Sequence, residues 1–273
     1  MRIAADLSDE TAIVTGASSG IGRAIAERMG VAGAHVILSG RTAAPMEESA
    51  ARISEAGGRA TVVIGDVCQP GAVDELVSAA IDADGHLDIF VNNAGVAFLG
   101  DVLDGDAQQW QSMFDTNVIA LLVGTKAAIG AMRTVGNRGH IVNVSSVAAL
   151  RPDSGVYGAT KHAVNVLTNT LRQELLDDPI QVTSIMPGLV ATNLGRNASP
   201  ELLAGIVAMS GIDVEIVPGE RLPDDVLESA QSVLSDVMIA PGDVAEAVLF
   251  AVTQPAHVHI PEIVIRPNKD FDF

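Results

Sequence analysis

Short runs of aliphatic and β-branched residues alternate along this chain with longer stretches in which apolar positions recur every three or four residues. The short runs are Thr11 to Thr15, His35 to Ser39, Ala60 to Ile64, Leu87 to Val91, His140 to Val144, Ile180 to Ile185 and Glu262 to Ile265. They are apolar almost throughout, as strands buried on both faces must be, and read as seven buried strands. Between them, Ile21 to Val31, Met46 to Ala56, Val73 to Asp82, Asp106 to Val135, Val156 to Leu176 and Val244 to Thr253 read as helices. Gly33 and Gly57 follow helices, and Asp243 is placed to cap the last one. Strand and helix in strict turn predict βαβ units: an α/β chain whose doubly wound sheet of about seven parallel strands carries helices on both faces.

No segment rich in Gly, Ser or Pro divides the 273 residues, so one domain spanning 1–273 is expected. The rhythm breaks between Asn193 and Ala240, where Gly195, Pro200, Gly211, Pro218, Gly219 and Pro223 interrupt helical fragments. An insertion of this kind reads as a functional loop or lid at about 193–240. Its carboxylates, among them Glu215, Glu220, Asp224, Asp225, Glu228 and Asp236, read as a solvated face. Leu202, Leu203, Ile206, Val207, Met209 and Ile212 suit either an apolar pocket or packing against the body.

Composition narrows the partners. With 34 acidic residues against 16 Lys and Arg, the formal charge of -18 repels nucleic acid. The single cysteine, Cys68, allows neither an internal disulfide nor a cysteine metal site, and reads as structural in a reducing compartment. The longest apolar stretches, Val118 to Val123 and Ala247 to Val252, fall well short of a membrane span, and the first residues lack a secretory pattern. A cytoplasmic protein is expected. His257 and His259 lack an acidic cluster, so no metal site is expected, and the triplets at Asn143 and Asn197 read as chance glycosylation matches. Trp110 and Tyr157 are each the only residue of their type.

Chemistry starts at the first strand. Thr15-Gly16-Ala17-Ser18-Ser19-Gly20-Ile21-Gly22 leads directly from strand to helix. Glycines permit a tight turn and close approach, and a helix N-terminus offers free N–H groups and a positive dipole end, so the loop reads as a pyrophosphate cradle. The same residues fit G-x-S-x-G, which would make Ser18 a hydrolase nucleophile, but such elbows follow several strands and here only one precedes. The second strand ends at Ser39-Gly40-Arg41-Thr42 without the acid that would hold the adenosine ribose of NAD. Arg41 suits a 2′-phosphate, with Ser39 and Thr42 as hydroxyl donors, so NADP(H) is favoured and NAD(H) kept as the alternative. Asp66, ending the third strand, is placed to accept from the adenine amino group.

Four-residue spacing puts Tyr157 and Lys161 on one face of a helix. A neighbouring ammonium favours phenolate and lowers the tyrosine pKa from about 10. Ser145 and Ser146 end the fifth strand upstream, at the carboxyl edge where open α/β sheets bind ligands.

In this order, the glycine loop, Asp66, Asn92-Asn93-Ala94-Gly95, Asn117, Ser146, Tyr157, Lys161 and Pro187-Gly188 followed by Thr192 resemble the short-chain dehydrogenase/reductase family, over nearly the whole chain. The resemblance implies a Rossmann-type oxidoreductase acting on CH–OH groups, with a small carbonyl or alcohol as substrate. Tyr157 would be the acid/base, Ser146 would polarise the substrate oxygen, Lys161 would lower the tyrosine pKa and bind the nicotinamide ribose, and Asn117 would hold a water in a proton relay. Gly16, Ser18, Ser19, Gly20, Ile21, Gly22, Arg41, Asp66, Val67, Asn93, Ala94 and Gly95 would hold the pyrophosphate and adenosine side. Pro187, Gly188, Val190 and Thr192 would surround the nicotinamide, beside Tyr157 and Lys161. Ser146 precedes Tyr157 by 11 residues, two fewer than is common in the family, so the loop Ala149 to Gly155 should be short and Ser145 stays an alternative for the hydroxyl. The long fourth and fifth helices commonly form a subunit interface in that family, implying a homotetramer or dimer. A dinucleotide-binding regulatory protein without turnover is the rival from another class.

Overall fold

The computed structural model describes residues 6–136, 138–197, 200–217 and 219–269. Strands β1 (Thr11–Thr15), β2 (His35–Gly40), β3 (Arg59–Ile64), β4 (Ile89–Asn92), β5 (Gly139–Val144), β6 (Ile180–Pro187) and β7 (Glu262–Ile265) pair in parallel in the order β3-β2-β1-β4-β5-β6-β7. The order reverses between β1 and β4, which leaves a crevice at their carboxyl ends. Around the sheet lie α1 (Gly20–Val31), α2 (Ala43–Glu55), α3 (Ala72–Asp84), α4 (Ala107–Phe114), α5 (Ala120–Val135), α6 (Gly155–Glu174), α7 (Pro200–Ser210), α8 (Asp224–Val233) and α9 (Pro241–Val252).

Strand alternation sorts the core into two layers. Ala12, Val14, Val36 and Leu38 pack with Ile25 and Met29 of α1 and Val244 and Val248 of α9. Ile13, Ile37 and Phe90 pack on the opposite face with Leu76 and Ala80 of α3 and Ile129 and Met132 of α5. The result is the Rossmann-type doubly wound fold expected. The edge strands β3 and β7, each with a single neighbour, are partly exposed, while the inner strands are buried throughout except at Gln181 of β6.

The stretch read as one helix from Asp106 to Val135 is three pieces: α4, a π-helical turn Asp115–Ile119, and α5. Asp106 caps it, accepting from Gln108 N at 2.8 Å. Ala107–Val135 is long and apolar enough, by length and composition, to cross a membrane, contrary to the reading from uninterrupted runs. It lies instead along the sheet, with Ala128, Ile129 and Met132 in the core and Asn117 and Thr125 buried. Helix α2 starts three residues before Met46, because Pro45 is tolerated in a first turn. The last helix starts at Pro241, so Asp243 is not its cap residue; it reaches back to accept from Ala240 N at 2.8 Å.

The interrupted segment folds as α7 and α8 around a small core of Leu203, Leu222 and Leu227. Leu203 is buried and Ile206 packs on it, whereas Met209 is exposed; the side chain of Leu202, and Ala198 and Ser199, lie outside what is described. Asn193 fastens the segment: its Nδ2 donates to Leu222 O at 3.0 Å, and Leu222 N donates to its Oδ1 at 2.8 Å. Arg23 of α1 pairs with Asp224 of α8 at 2.7 Å. The six carboxylates read as a solvated face are all exposed. His257 and His259 precede β7 in irregular chain rather than lying on a strand, and among the described residues no group of three or more His, Cys, Asp or Glu could hold a metal. Asn143 is fully buried, which bars glycosylation there.

Candidate active site

Strand β1 ends where Thr15 ties it to the residues after β4. Its Oγ1 accepts from Asn93 N at 3.0 Å and Ala94 N at 3.1 Å, and Asn93 Nδ2 donates to Thr15 O at 2.9 Å. Gly16 turns the chain with φ +68°, in the left-handed region open to glycine. Gly22 lies underneath: a Cβ there would stand 2.3 Å from both Asn93 Nδ2 and Gly16 O. This close packing lets α1 begin immediately behind the loop. Ser19, at its N-cap position, makes no side-chain cap bond, so the helix end faces the cleft with its own N–H groups. A dinucleotide pyrophosphate suits this cradle: glycine backbone close by, a helix N-terminus behind it, and no side chain in the way.

The cleft measures 1180 Å³ and runs along the carboxyl ends of the strands beneath the 193–240 segment. Gly16, Ser18, Ser19, Gly20, Ile21, Arg41, Asp66, Val67, Asn93, Ala94, Gly95, Pro187, Gly188, Val190 and Thr192 all line it, whereas Gly22, the packing position, does not. Ser39 is 1% exposed, and no hydroxyl from it faces the cleft, whereas Thr42 lines it. Arg41 stands 4.0 Å from Asp66, whose Oδ1 accepts from Cys68 N at 3.0 Å. Cys68, read as a structural thiol, is exposed at the cleft, and partial burial of its sulfur pushes the thiol up.

The chemical residues come from β5 and α6. Ser145 Oγ donates to Lys161 O at 3.2 Å and is buried, which engages that hydroxyl in holding α6 to the strand. Ser146 begins a 3-10 turn, Val147–Leu150, accepting from Ala148 N at 3.1 Å, and lies beside the Tyr157 hydroxyl in the cleft. The short connection between them is locked by Ser154, whose Oγ bonds Ala148 O at 2.6 Å and Arg151 O at 2.9 Å. Gly158 sits so tightly on Ser154 that a Cβ would be 1.7 Å from that Oγ.

Lys161 Nζ donates to Val144 O at 2.8 Å and stands 5.9 Å from the centre of the Tyr157 ring. Burial pushes the Tyr157 phenol up to about 12, with the Ser146 hydroxyl pulling it down less. Burial also holds the Lys161 ammonium down, to about 8. The expected lowering of the phenol by Lys161 is therefore outweighed in this environment by desolvation, which disfavours both charged forms. Asn117, in the π-helical turn, does not line the cleft. Its Oδ1 accepts from Val96 N at 2.9 Å, and its Nδ2 donates to Val96 O at 2.9 Å and Thr160 Oγ1 at 3.0 Å. Thr160 Oγ1 donates in turn to Tyr157 O at 2.7 Å, so Asn117 steadies the tyrosine's turn of helix.

Beneath the site runs a polar chain absent from the sequence reading. Asn92 Nδ2 donates to Thr125 Oγ1 and Asn143 Oδ1, and Asn143 Nδ2 to Thr168 Oγ1, each at 2.9 Å and buried. It fastens α5 and α6 to adjacent strands; the only signal for it was polar asparagine at the ends of two apolar runs. Arg196 and Arg221 of the 193–240 segment also line the cleft and were not anticipated.

Known proteins carry the same framework. An uncharacterised oxidoreductase of Staphylococcus epidermidis is 35% identical over 265 residues, covering 96% of this chain and 99% of its own. The L-sorbose reductase of Gluconobacter frateurii, solved with NADPH and L-sorbose, superposes with a TM-score of 0.79 at 27% identity, over 97% of each chain. A serine dehydrogenase in its closed form with NADP+ gives 0.78 at 29% identity, over 96% of this chain and 97% of its own. The short chain dehydrogenase family model matches residues 10–202, and with that match and these relatives the chain belongs to the short-chain dehydrogenase family of oxidoreductases.

Proposed function

We propose that the protein interconverts a small carbonyl compound and its alcohol with NADP(H), using Tyr157 as acid/base. The observation that carries this reading is that Ser146, Tyr157 and Lys161 line the same cleft as the glycine loop. The nicotinamide cofactor, when bound, gives or takes the hydride. Ser146 holds the substrate oxygen by its hydroxyl, and Tyr157 donates its proton to that oxygen in reduction and takes it back in oxidation. A phenol pushed up to about 12 is protonated at neutral pH and so ready for the reductive direction. Lys161 brings the positive charge that favours phenolate in the transition state and is placed to bind the cofactor ribose. Asn117 acts as a positioning residue through Thr160.

NADP(H) is supported by Arg41 at the end of β2, where no acid stands, and by the NADPH and NADP+ in the two structural relatives. A homo-oligomer is supported by exposed apolar side chains on the long helices, including Val123 of α5 and Val166 of α6; light scattering tests it. Turnover is tested at 340 nm with NADPH and NADP+ against a panel of ketones, aldehydes and alcohols. Tyr157→Phe should abolish it, with no second phenol to substitute; a variant of full activity defeats the mechanism. Arg41→Ala should erase the preference for NADP(H) over NAD(H), and binding without turnover across the panel would favour a regulatory protein.

A further inference from the structure

Three arginines that line the cleft, Arg41, Arg196 and Arg221, lie near enough for the first and last to act electrostatically on the second. Arg41 follows β2, Arg196 lies in the 3-10 turn Asn193–Asn197, and Arg221 precedes α8. The last two are 25 positions apart but are brought together by the Asn193–Leu222 pair of hydrogen bonds. Arg196 Nη1 donates to Asn193 O at 3.0 Å, its own carbonyl accepts from Gly219 N at 3.3 Å, and Arg221 adjoins Leu222. Arg41 reaches a carboxylate only at 4.0 Å, and among the described residues neither Arg196 nor Arg221 pairs with an acid. In a chain where acids outnumber Lys and Arg 34 to 16, arginine partners are plentiful. Gathering like charges without one is unfavourable unless an anion sits among them. Burial, and after it the charges of Arg41 and Arg221, hold the Arg196 guanidinium below the usual arginine range.

The anion is identified by what shares the wall. Thr192 abuts the glycine loop: a Cβ on Gly20 would stand 3.0 Å from Thr192 Cγ2. Arg196 therefore rises from the residues that cover the phosphate cradle, and Arg41 marks the ribose end of the same groove. We propose that Arg196 and Arg221 are cofactor-binding residues carried by the 193–240 segment, joining Arg41 around a phosphate of the dinucleotide so that one anion holds segment and cofactor together. This rests on the cofactor assignment above and adds the part of the chain that completes the site. Guanidinium groups pair with phosphate oxygens in forked, charge-assisted bonds, and two such cations on the segment beside the cradle would tie that segment to the bound phosphate.

The test uses Arg196→Gln, Arg221→Gln and the double variant in the full-length protein. NADPH and NADH are titrated by fluorescence, and digestion of the 193–240 segment by trypsin-independent proteases is followed with and without each cofactor. The double variant should bind NADPH about tenfold or more weakly and lose cofactor-induced protection. Weakening confined to NADPH assigns the 2′-phosphate; equal weakening of NADH assigns the pyrophosphate. Unchanged binding of both, including the case where only the KM of a carbonyl substrate rises, overturns the proposal. Arg196→Lys with Arg221→Lys, which keeps the charge, should recover part of the binding and separates charge loss from misfolding. If Arg41→Ala leaves the nucleotide preference intact while the lid variants still weaken both nucleotides, the NADP(H) assignment fails and the lid contact stands.

Discussion

Gly22→Ala sets two physical effects against each other. Within α1 an alanine is worth about 1 kcal/mol over glycine in helix propensity, so secondary structure alone predicts a gain. The added methyl would meet Asn93 Nδ2 and Gly16 O at 2.3 Å and Gly16 C at 2.8 Å. Restoring contact near 3.4 Å requires a shift of roughly 1 Å. Neither neighbour has room to retreat: Asn93 Nδ2 is bonded to Thr15 O at 2.9 Å, and Gly16 holds the turn at φ +68°. Overpacking costs about 1–3 kcal/mol, and breaking the asparagine bond about 1–3 more. After the propensity gain the net loss is about 1–5 kcal/mol, a fall in Tm of roughly 2–20 °C. The same shift separates the glycine loop from the N-terminus of α1, so NADPH binding should weaken at least tenfold, in proportion to the lost alignment. Calorimetry and fluorescence titration measure the two effects. A variant with equal or higher Tm and unchanged NADPH affinity would refute the packing argument.

Lys161→Met should abolish turnover yet raise stability. Burial depresses the ammonium to about 8 from 10.5, so the charged form costs stability at pH 7 and the cost fades as pH rises from about 8 toward 10.5. Allowing for the Val144 carbonyl left unpaired, calorimetry at pH 7 should show a gain of about 1–3 kcal/mol, shrinking above pH 8; a loss at both pH values would contradict it. Burial acts to raise the Asp84 carboxyl, but hydrogen bonds from His35, Thr11 and Arg59 prevail and hold it down to about 2. Its folded pKa is depressed, so its contribution is full above pH 4 and is lost as pH falls through 2. Urea unfolding should show wild type losing about 2 kcal/mol across that window and Asp84→Asn losing much less; parallel acid limbs would exclude the assignment. Gly158→Ala places a methyl 1.7 Å from Ser154 Oγ, displacing Tyr157 from Ser146. Steady-state kinetics should give a kcat lower by roughly tenfold to a hundredfold with NADPH affinity little changed, and an unaltered kcat would show that the contact does not align the site.

What could be read from the sequence was local. Tyr157 and Lys161 share a helix face by spacing alone, and the glycine loop is contiguous, so both were visible before any fold was known. Strand ends slipped where the chain had tertiary obligations: β4 starts at Ile89 because Asp88 N is bonded to Thr11 O at 3.0 Å and its carboxylate to Thr11 N at 2.8 Å. Ser145 and Ser146 were inseparable because adjacent residues on extended backbone point to opposite sides, and only the packing of α6 decides which faces substrate. Arg196 and Arg221 were hidden because a contact between Asn193 and Leu222, across a stretch broken by glycine and proline, brings them together. The Tyr157 phenol was misjudged because four-residue spacing measures proximity to a cation but not the loss of water around both groups.

The wide turn at Asp115–Ile119 sets the phase of everything after it. An α-helix advances about 100° per residue, and a π turn absorbs one extra residue without adding a full step of rotation. Asn117 thereby faces Val96 and Thr160 while, further along the same helix, Ala128 and Met132 still land on the sheet. Deleting one of the five residues would restore a continuous α-helix with α5 still in phase, keeping those core side chains on the sheet but removing the wide turn that carries Asn117. Exposed Ile119 can change its identity there, but removing a residue closes the turn that points Asn117 at Val96 and Thr160. The helix works as a vernier, and its residue count is as much a determinant of the active site as the asparagine it carries.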